Sequence, residues 1–154
     1  MNMNNRFLVI LLSIAFLGGC KQPTVDVARQ LNIALEKYEA MLAAHPDTTR
    51  IPHSVNADGT LRDMPSEWWG GGFFGGALWY LYQYTQEEKW KDAAHRWTMA
   101  VQKEQYNTTI HDLGFMVYCP FGNGYRLTGN EQYKPVLLQG AQSLSTRFDS
   151  TKGV

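Results

Sequence analysis

The sequence predicts an all-α fold of repeated helical hairpins, and two observations carry that prediction. Apolar residues recur at three- and four-residue steps through most of the chain beyond residue 25. The pattern also repeats. Gly72-Phe73-Phe74 returns as Gly114-Phe115-Met116, and Thr85-Gln86-Glu87-Glu88-Lys89-Trp90-Lys91 returns as Thr128-Gly129-Asn130-Glu131-Gln132-Tyr133-Lys134, an offset of about 42 or 43 residues. In each repeat a helix that is apolar nearly all round precedes an amphipathic one. Such pairs stack as an inner and an outer layer, the construction of an α/α toroid or a helical solenoid.

The elements follow in order. Residues 1–19 read as a signal peptide: Arg6 precedes the apolar run Phe7–Leu17, too short to span a bilayer as a mature helix. Leu17-Gly18-Gly19-Cys20 looks like a bacterial lipobox, so Cys20 is the expected lipid carrier, residues 20–24 a short tether and 25–154 the folded part. That address predicts a bacterial cell-envelope protein held to the membrane by several acyl chains, which anchor far better than one. Val27, Leu31, Ala34, Leu35, Tyr38, Met41 and Leu42 then mark an amphipathic helix that stops near His45-Pro46.

Between Asp47 and Glu67 periodicity fades, and the segment reads as an irregular connection with a turn at Asp58-Gly59. Gly72–Tyr84 is the first inner helix. Glu87–Glu104 is its outer partner, with Trp90, Ala93, Ala94, Trp97 and Val101 on one face. Asp112–Leu127 and Glu131–Phe148 form the second pair, and Pro120 must kink or restart the inner one. The repeat is still running at Val154 with no capping repeat. The chain therefore reads as the front of a longer protein.

Composition removes several functions. Fourteen Lys+Arg balance 14 Asp+Glu, and the basic residues are scattered, which leaves nucleic acid without its electrostatic footprint. A 44% hydrophobic content is too high for a disordered chain. His45, His53, His95 and His111 lack the close spacing of a metal pair, and Cys119 has no C-x-x-C partner, so neither metal nor cofactor is expected. With Cys20 lipidated, Cys119 also has nothing to pair with and reads as a buried, inert thiol. A Gly-x-Ser-x-Gly elbow is absent.

Five Trp, eight Tyr and seven Phe make flat rings the obvious lining of any site, and flat rings suit sugar faces as they suit cores. The densest candidate is Trp68-Trp69-Gly70-Gly71-Gly72-Phe73-Phe74-Gly75-Gly76. Its glycines either leave amides open to a ligand or permit tight helix packing, and Trp69 either stacks on a pyranose or joins the core. His111-Asp112-Leu113-Gly114-Phe115 opens the next inner helix, so Asp112 and the Trp69 turn are expected on one rim. Asp112 is either a helix N-cap or a functional carboxylate. His111 is either its acid/base or substrate-binding neighbour or an ordinary helix-start residue.

Taken together, Trp69-x-x-Gly72-Phe73-Phe74-x-Gly76-x-Leu78-Trp79-Tyr80-Leu81-Tyr82, then Trp90, Thr109-x-His111-Asp112-Leu113-Gly114-Phe115-Met116 and Tyr125-Arg126-Leu127-Thr128-Gly129, resemble the unsaturated glucuronyl hydrolases of glycoside hydrolase family 88. The match runs from about Ile51 onward, with a looser likeness to unsaturated rhamnogalacturonyl hydrolases. The resemblance implies a partial (α/α)6 barrel, a six-hairpin toroid cut at Val154. It implies a substrate ending in a 4,5-unsaturated uronic acid left by a polysaccharide lyase. In that reaction a carboxylic acid protonates C4, water adds at C5, and the resulting hemiketal opens and expels the remaining sugar.

Two Asp carboxyls divide the work, one of them holding its proton near neutral pH. Asp112 maps to the supporting member of the pair, Trp69 to a sugar-stacking aromatic, and His111 beside the site. The principal acid is expected one repeat further along, beyond Val154, and Asp149 at an outer-helix end does not replace it. A non-catalytic glycan-binding lipoprotein, gripping sugar through Trp69 with Asp112 as a cap, is the rival reading.

Overall fold

The computed structural model describes residues 25–153, so the lipobox and Cys20 lie outside the described residues. Val25–Gln30 fall in a first unit, where Asp26 Oδ1 accepts the Arg29 N–H at 3.0 Å and caps a helix start. That helix, α1, runs Val27–Ala44 and passes into the compact unit that begins at Leu31. Within this unit Ala34, Leu35, Tyr38, Met41 and Leu42 pack against the core, the stripe read from the sequence.

After α1 the chain departs from the expected irregular connection. Ile51–Val55 (β1) and Leu61–Met64 (β2) pair antiparallel around the Asp58-Gly59 turn, with a register shift between Pro52 and Ser54. Gly59 takes φ +85° at the tip, and Asn56 N–H donates to Thr60 O at 2.8 Å. Apolar alternation is missing because this hairpin buries little: Ile51 alone reaches the core. His45 anchors the ribbon. Its Nδ1–H donates to Met41 O at 2.9 Å while Nε2 lies 2.9 Å from Asp63 Oδ1, tying the end of α1 to β2.

The two hairpins then appear in sequence. Helices α2 (Phe73–Thr85) and α3 (Glu88–Ala100) form the first, and a 3-10 turn, Gln102–Tyr106, follows it. In the second, the inner helix is divided: α4 (Leu113–Val117), a π turn over Tyr118–Gly122 that contains Pro120, and α5 (Asn123–Thr128), before outer helix α6 (Tyr133–Ser145). Proline has no N–H to continue the ladder, and the wider turn absorbs the break.

Trp79, Trp90, Trp97, Phe121 and Tyr133 are all but fully buried between the layers, with Leu78, Leu113 and Met116. Trp79 Nε1–H donates to Thr98 Oγ1 at 2.9 Å, so this indole brings its polar edge inside without loss. Phe73, Tyr80 and Tyr84 form an exposed stripe along α2, as expected for an inner-helix face.

The repeat extends to single hydrogen bonds. Thr85 Oγ1 donates to Leu81 O at 2.9 Å and accepts from Glu87 N–H at 3.2 Å; Thr128 Oγ1 donates to Gly124 O at 2.6 Å and accepts from Asn130 N–H at 3.2 Å. Both inner helices end in a left-handed residue, Gln86 at φ +59° and Gly129 at φ +65°. Two copies of one turn connect two copies of one hairpin. Fold class and repeat thus agree with the sequence reading, with the short β-ribbon added.

Candidate active site

The site is assembled from two helix starts. In the first, a run of tight turns leads from Pro65 into α2: Trp68 N–H donates to Pro65 O, Gly71 N–H to Trp68 O and Phe73 N–H to Gly70 O. The amides of Gly71, Phe73 and Gly76 are therefore occupied within the chain, which takes Gly71 and Gly76 out of the open-amide reading. Gly72 serves packing. A Cβ there would lie 2.3 Å from Phe115 O and 2.5 Å from Met116 O, so only glycine lets the start of α2 rest on the backbone of α4.

This close approach unites the two segments singled out in the sequence. Trp69 is 45% exposed and stands edge-on to Phe73 at 5.8 Å, and Phe73 meets Phe115 at 5.6 Å. On the other side Trp68 packs edge-on against Trp69 and against the imidazole of His53 on the β-ribbon. The result is a continuous aromatic row, His53, Trp68, Trp69, Phe73 and Phe115, leading from the ribbon to the start of α4. Trp69 is thus not a core residue. It is held at its edges by other rings and leaves surface free for a ligand.

Asp112 stands at the N-cap position of α4, yet its carboxylate makes no capping hydrogen bond. Its carbonyl accepts from Phe115 N–H at 2.9 Å, while Oδ2 lies 3.3 Å from His111 Nε2. The Asp112 side chain is 23% exposed and that of His111 is 78% exposed. The helix-cap alternative is corrected on this point: the position is a cap's, the side chain is not employed as one. A partly shielded carboxylate beside an exposed imidazole can accept from or donate to a ligand or water at the rim.

The loops bearing these groups are held from below by Glu104, which sequence reasoning passed over as the charged end of an outer helix. Its side chain is buried, and Oε1 accepts Ser66 Oγ–H at 2.7 Å. Cys119 departs from the expected full burial. It is half-buried at a cleft of about 310 Å³ with Tyr38, Phe73 and Tyr80, where desolvation raises its thiol pKa. Among the described residues no group of three or more His, Cys, Asp or Glu is placed to hold a metal ion.

No family model matches the chain. It is 30% identical over 155 aligned positions to the unsaturated glucuronyl hydrolase of Formosa agariphila, an alignment covering 94% of this chain and 39% of that protein. It is 29% identical to the unsaturated chondroitin disaccharide hydrolase of Streptococcus agalactiae, covering 90% of this chain and 35% of the relative. The chain therefore spans less than half the length of these relatives.

A crystal structure of an unsaturated glucuronyl hydrolase specific for heparin superposes with a TM-score of 0.69 at 41% identity, over 73% of this chain and 30% of the other. A variant of the Streptococcus agalactiae enzyme complexed with dGlcA-GalNAc6S gives 0.71 at 24% identity, over 86% and 36%, a likeness of fold. The chain is thus similar, over most of its own length, to part of the unsaturated glucuronyl hydrolases, and its helical hairpins match their α/α barrel fold.

Proposed function

We propose that the whole protein removes the terminal 4,5-unsaturated uronic acid from lyase-generated oligosaccharides by hydrating the C4=C5 vinyl ether. The observation that carries this reading is the seating of Gly72 on the backbone of Phe115 and Met116, which joins an exposed Trp69 platform to the Asp112 helix start. In this scheme a sugar ring lies on Trp69 and His111 contacts the substrate beside it. Asp112 assists the carboxylic acid that delivers a proton to C4 and orients the water that adds at C5. The hemiketal so formed opens and releases the remaining sugar.

The resemblance assigns proton delivery to a second Asp on a later inner helix. The 154 residues expressed alone are accordingly expected to bring half of a catalytic pair and to be inactive. Residues 1–19 act as a lipoprotein signal in this proposal, Cys20 carries the lipid, and the enzyme works at the bacterial cell envelope. Incorporation of labelled palmitate that is lost in Cys20→Ala tests the anchor.

Loss of ultraviolet absorbance from unsaturated uronyl disaccharides, followed with the whole protein, tests the reaction. Turnover that vanishes in Asp112→Asn is expected. Undiminished activity in that variant removes Asp112 from the mechanism, and sugar affinity without loss of absorbance makes the protein a binder.

A further inference from the structure

We infer that Glu104 is a positioning residue that sets the Trp69 turn against the Asp112 helix start, an inference that rests on the proposed reaction for its catalytic consequence. The carboxylate is 3% exposed and sits in the 3-10 turn between α3 and α4. Oε1 accepts Ser66 Oγ–H at 2.7 Å and Oε2 accepts Asn107 Nδ2–H at 3.2 Å. Asn107 Oδ1 in turn accepts both Thr109 N–H and Thr109 Oγ1–H at 2.9 Å. Ser66 lies three residues before Trp69, and Thr109 three before Asp112. One buried carboxylate thus grips both segments of the site from beneath.

Its surroundings argue for more than a generic tie. The nearest cation, Lys103, is 3.8 Å from Oε1 and is engaged at 2.6 Å by Glu67. Burying a carboxylate with two neutral donors and one diverted cation is costly. What it returns is geometry: a single acceptor with two oxygens adds a second tie between two loops that otherwise meet at Gly72. A misplacement of about 1 Å costs on the order of a hundredfold in rate, so the spacing matters to turnover more than to folding.

The test compares Glu104→Ala with Thr98→Val, which breaks the buried Trp79 to Thr98 bond away from the two loops. Hydrogen exchange is read in residues 66–72 and 107–113. In Glu104→Ala both segments should exchange about tenfold faster, together, with the last turn of α2 unchanged. Turnover of the unsaturated disaccharide by the whole protein should fall roughly a hundredfold, mainly in kcat, while Thr98→Val keeps kcat below its melting temperature. Glu104→Gln, which keeps the acceptor for Ser66, should recover part of the rate.

Wild-type exchange in either segment, or a kcat loss no larger than that of Thr98→Val, overturns the inference. If Glu104→Ala does not fold, Ser66→Ala and Asn107→Ala replace it, the first expected to loosen residues 66–72 and the second residues 107–113, and wild-type exchange in both variants overturns the inference. A wild-type protein without turnover overturns the proposed reaction, and the exchange pattern then decides the role of Glu104 by itself.

Discussion

Gly72→Ala is the sharpest probe of how this site is put together. The added methyl would sit 2.3 Å from Phe115 O and 2.5 Å from Met116 O, and both obstacles are backbone, which cannot swing aside as a side chain can. Reaching even the 3.0 Å limit of tolerable contact requires the start of α2 and α4 to separate by about 0.7 Å in a closely packed interior. Overpacking of this kind costs about 1–3 kcal/mol, and at an ordinary urea dependence of about 2 kcal/mol per molar the midpoint should fall by about 1 M.

The comparison is Gly114→Ala. A Cβ there meets nothing within 4 Å, so it should leave the midpoint unchanged or raise it slightly. Urea unfolding followed by tryptophan fluorescence measures both, since Trp79, Trp90 and Trp97 are buried. Equal midpoints for Gly72→Ala and wild type would refute the claim that this backbone contact holds the two segments together.

Three further outcomes are expected. Asp112→Ala should change stability by less than about 0.5 kcal/mol, because a side chain that makes no cap bond cannot forfeit the ~1 kcal/mol a cap is worth; a full cap-sized loss in thermal unfolding would restore the helix-cap reading. Trp69→Ala should weaken binding of an unsaturated disaccharide at least ~10-fold by calorimetry, equivalent to about 1.4 kcal/mol, and unchanged affinity would move the platform elsewhere. Burial raises the Cys119 pKa, so the folded protein holds that proton more tightly than the unfolded chain does. Its contribution to stability is present below the unfolded thiol's pKa and is lost as pH rises through the folded value. Maleimide labelling of Cys119 should accordingly be slower in the folded protein than in urea at pH 8, and equal rates would contradict the burial.

What the sequence revealed, and what it concealed, follows from how each residue is used. Helix α3 was legible because Trp90, Ala93, Ala94 and Trp97, with Val101 at its C-cap, are all buried on one side, which is what a 3.6-residue period reports. The β-ribbon was not. Its pairing is made of backbone bonds and one buried side chain, Ile51, and backbone bonds leave no apolar signature.

Asp112 and Trp69 could be nominated from their motifs, but the choice between cap and carboxylate, or core and platform, depended on a side-chain direction that no spacing encodes. Glu104 was invisible for a related reason. A glutamate among the charged residues near a helix end reads as solvated, and only the fold places Ser66 and Asn107 over it.

The π turn at Tyr118–Gly122 accounts for a small irregularity in the repeat. From Gly72 to Gly114 the offset is about 42 residues, and from Thr85 to Thr128 about 43, so one residue has been gained inside the second inner helix. A π turn holds one residue more than an α turn, and each added residue rotates everything beyond it by about 100°. The second inner helix therefore works as two short blades set at different angles on one shaft. The front blade presents Asp112 beside the Trp69 turn. The rear blade is free to aim Arg126 at Gln83, where its guanidinium donates to Oε1 at 2.8 Å. Without the extra residue the two blades would share one angle, and one of these two alignments would be lost.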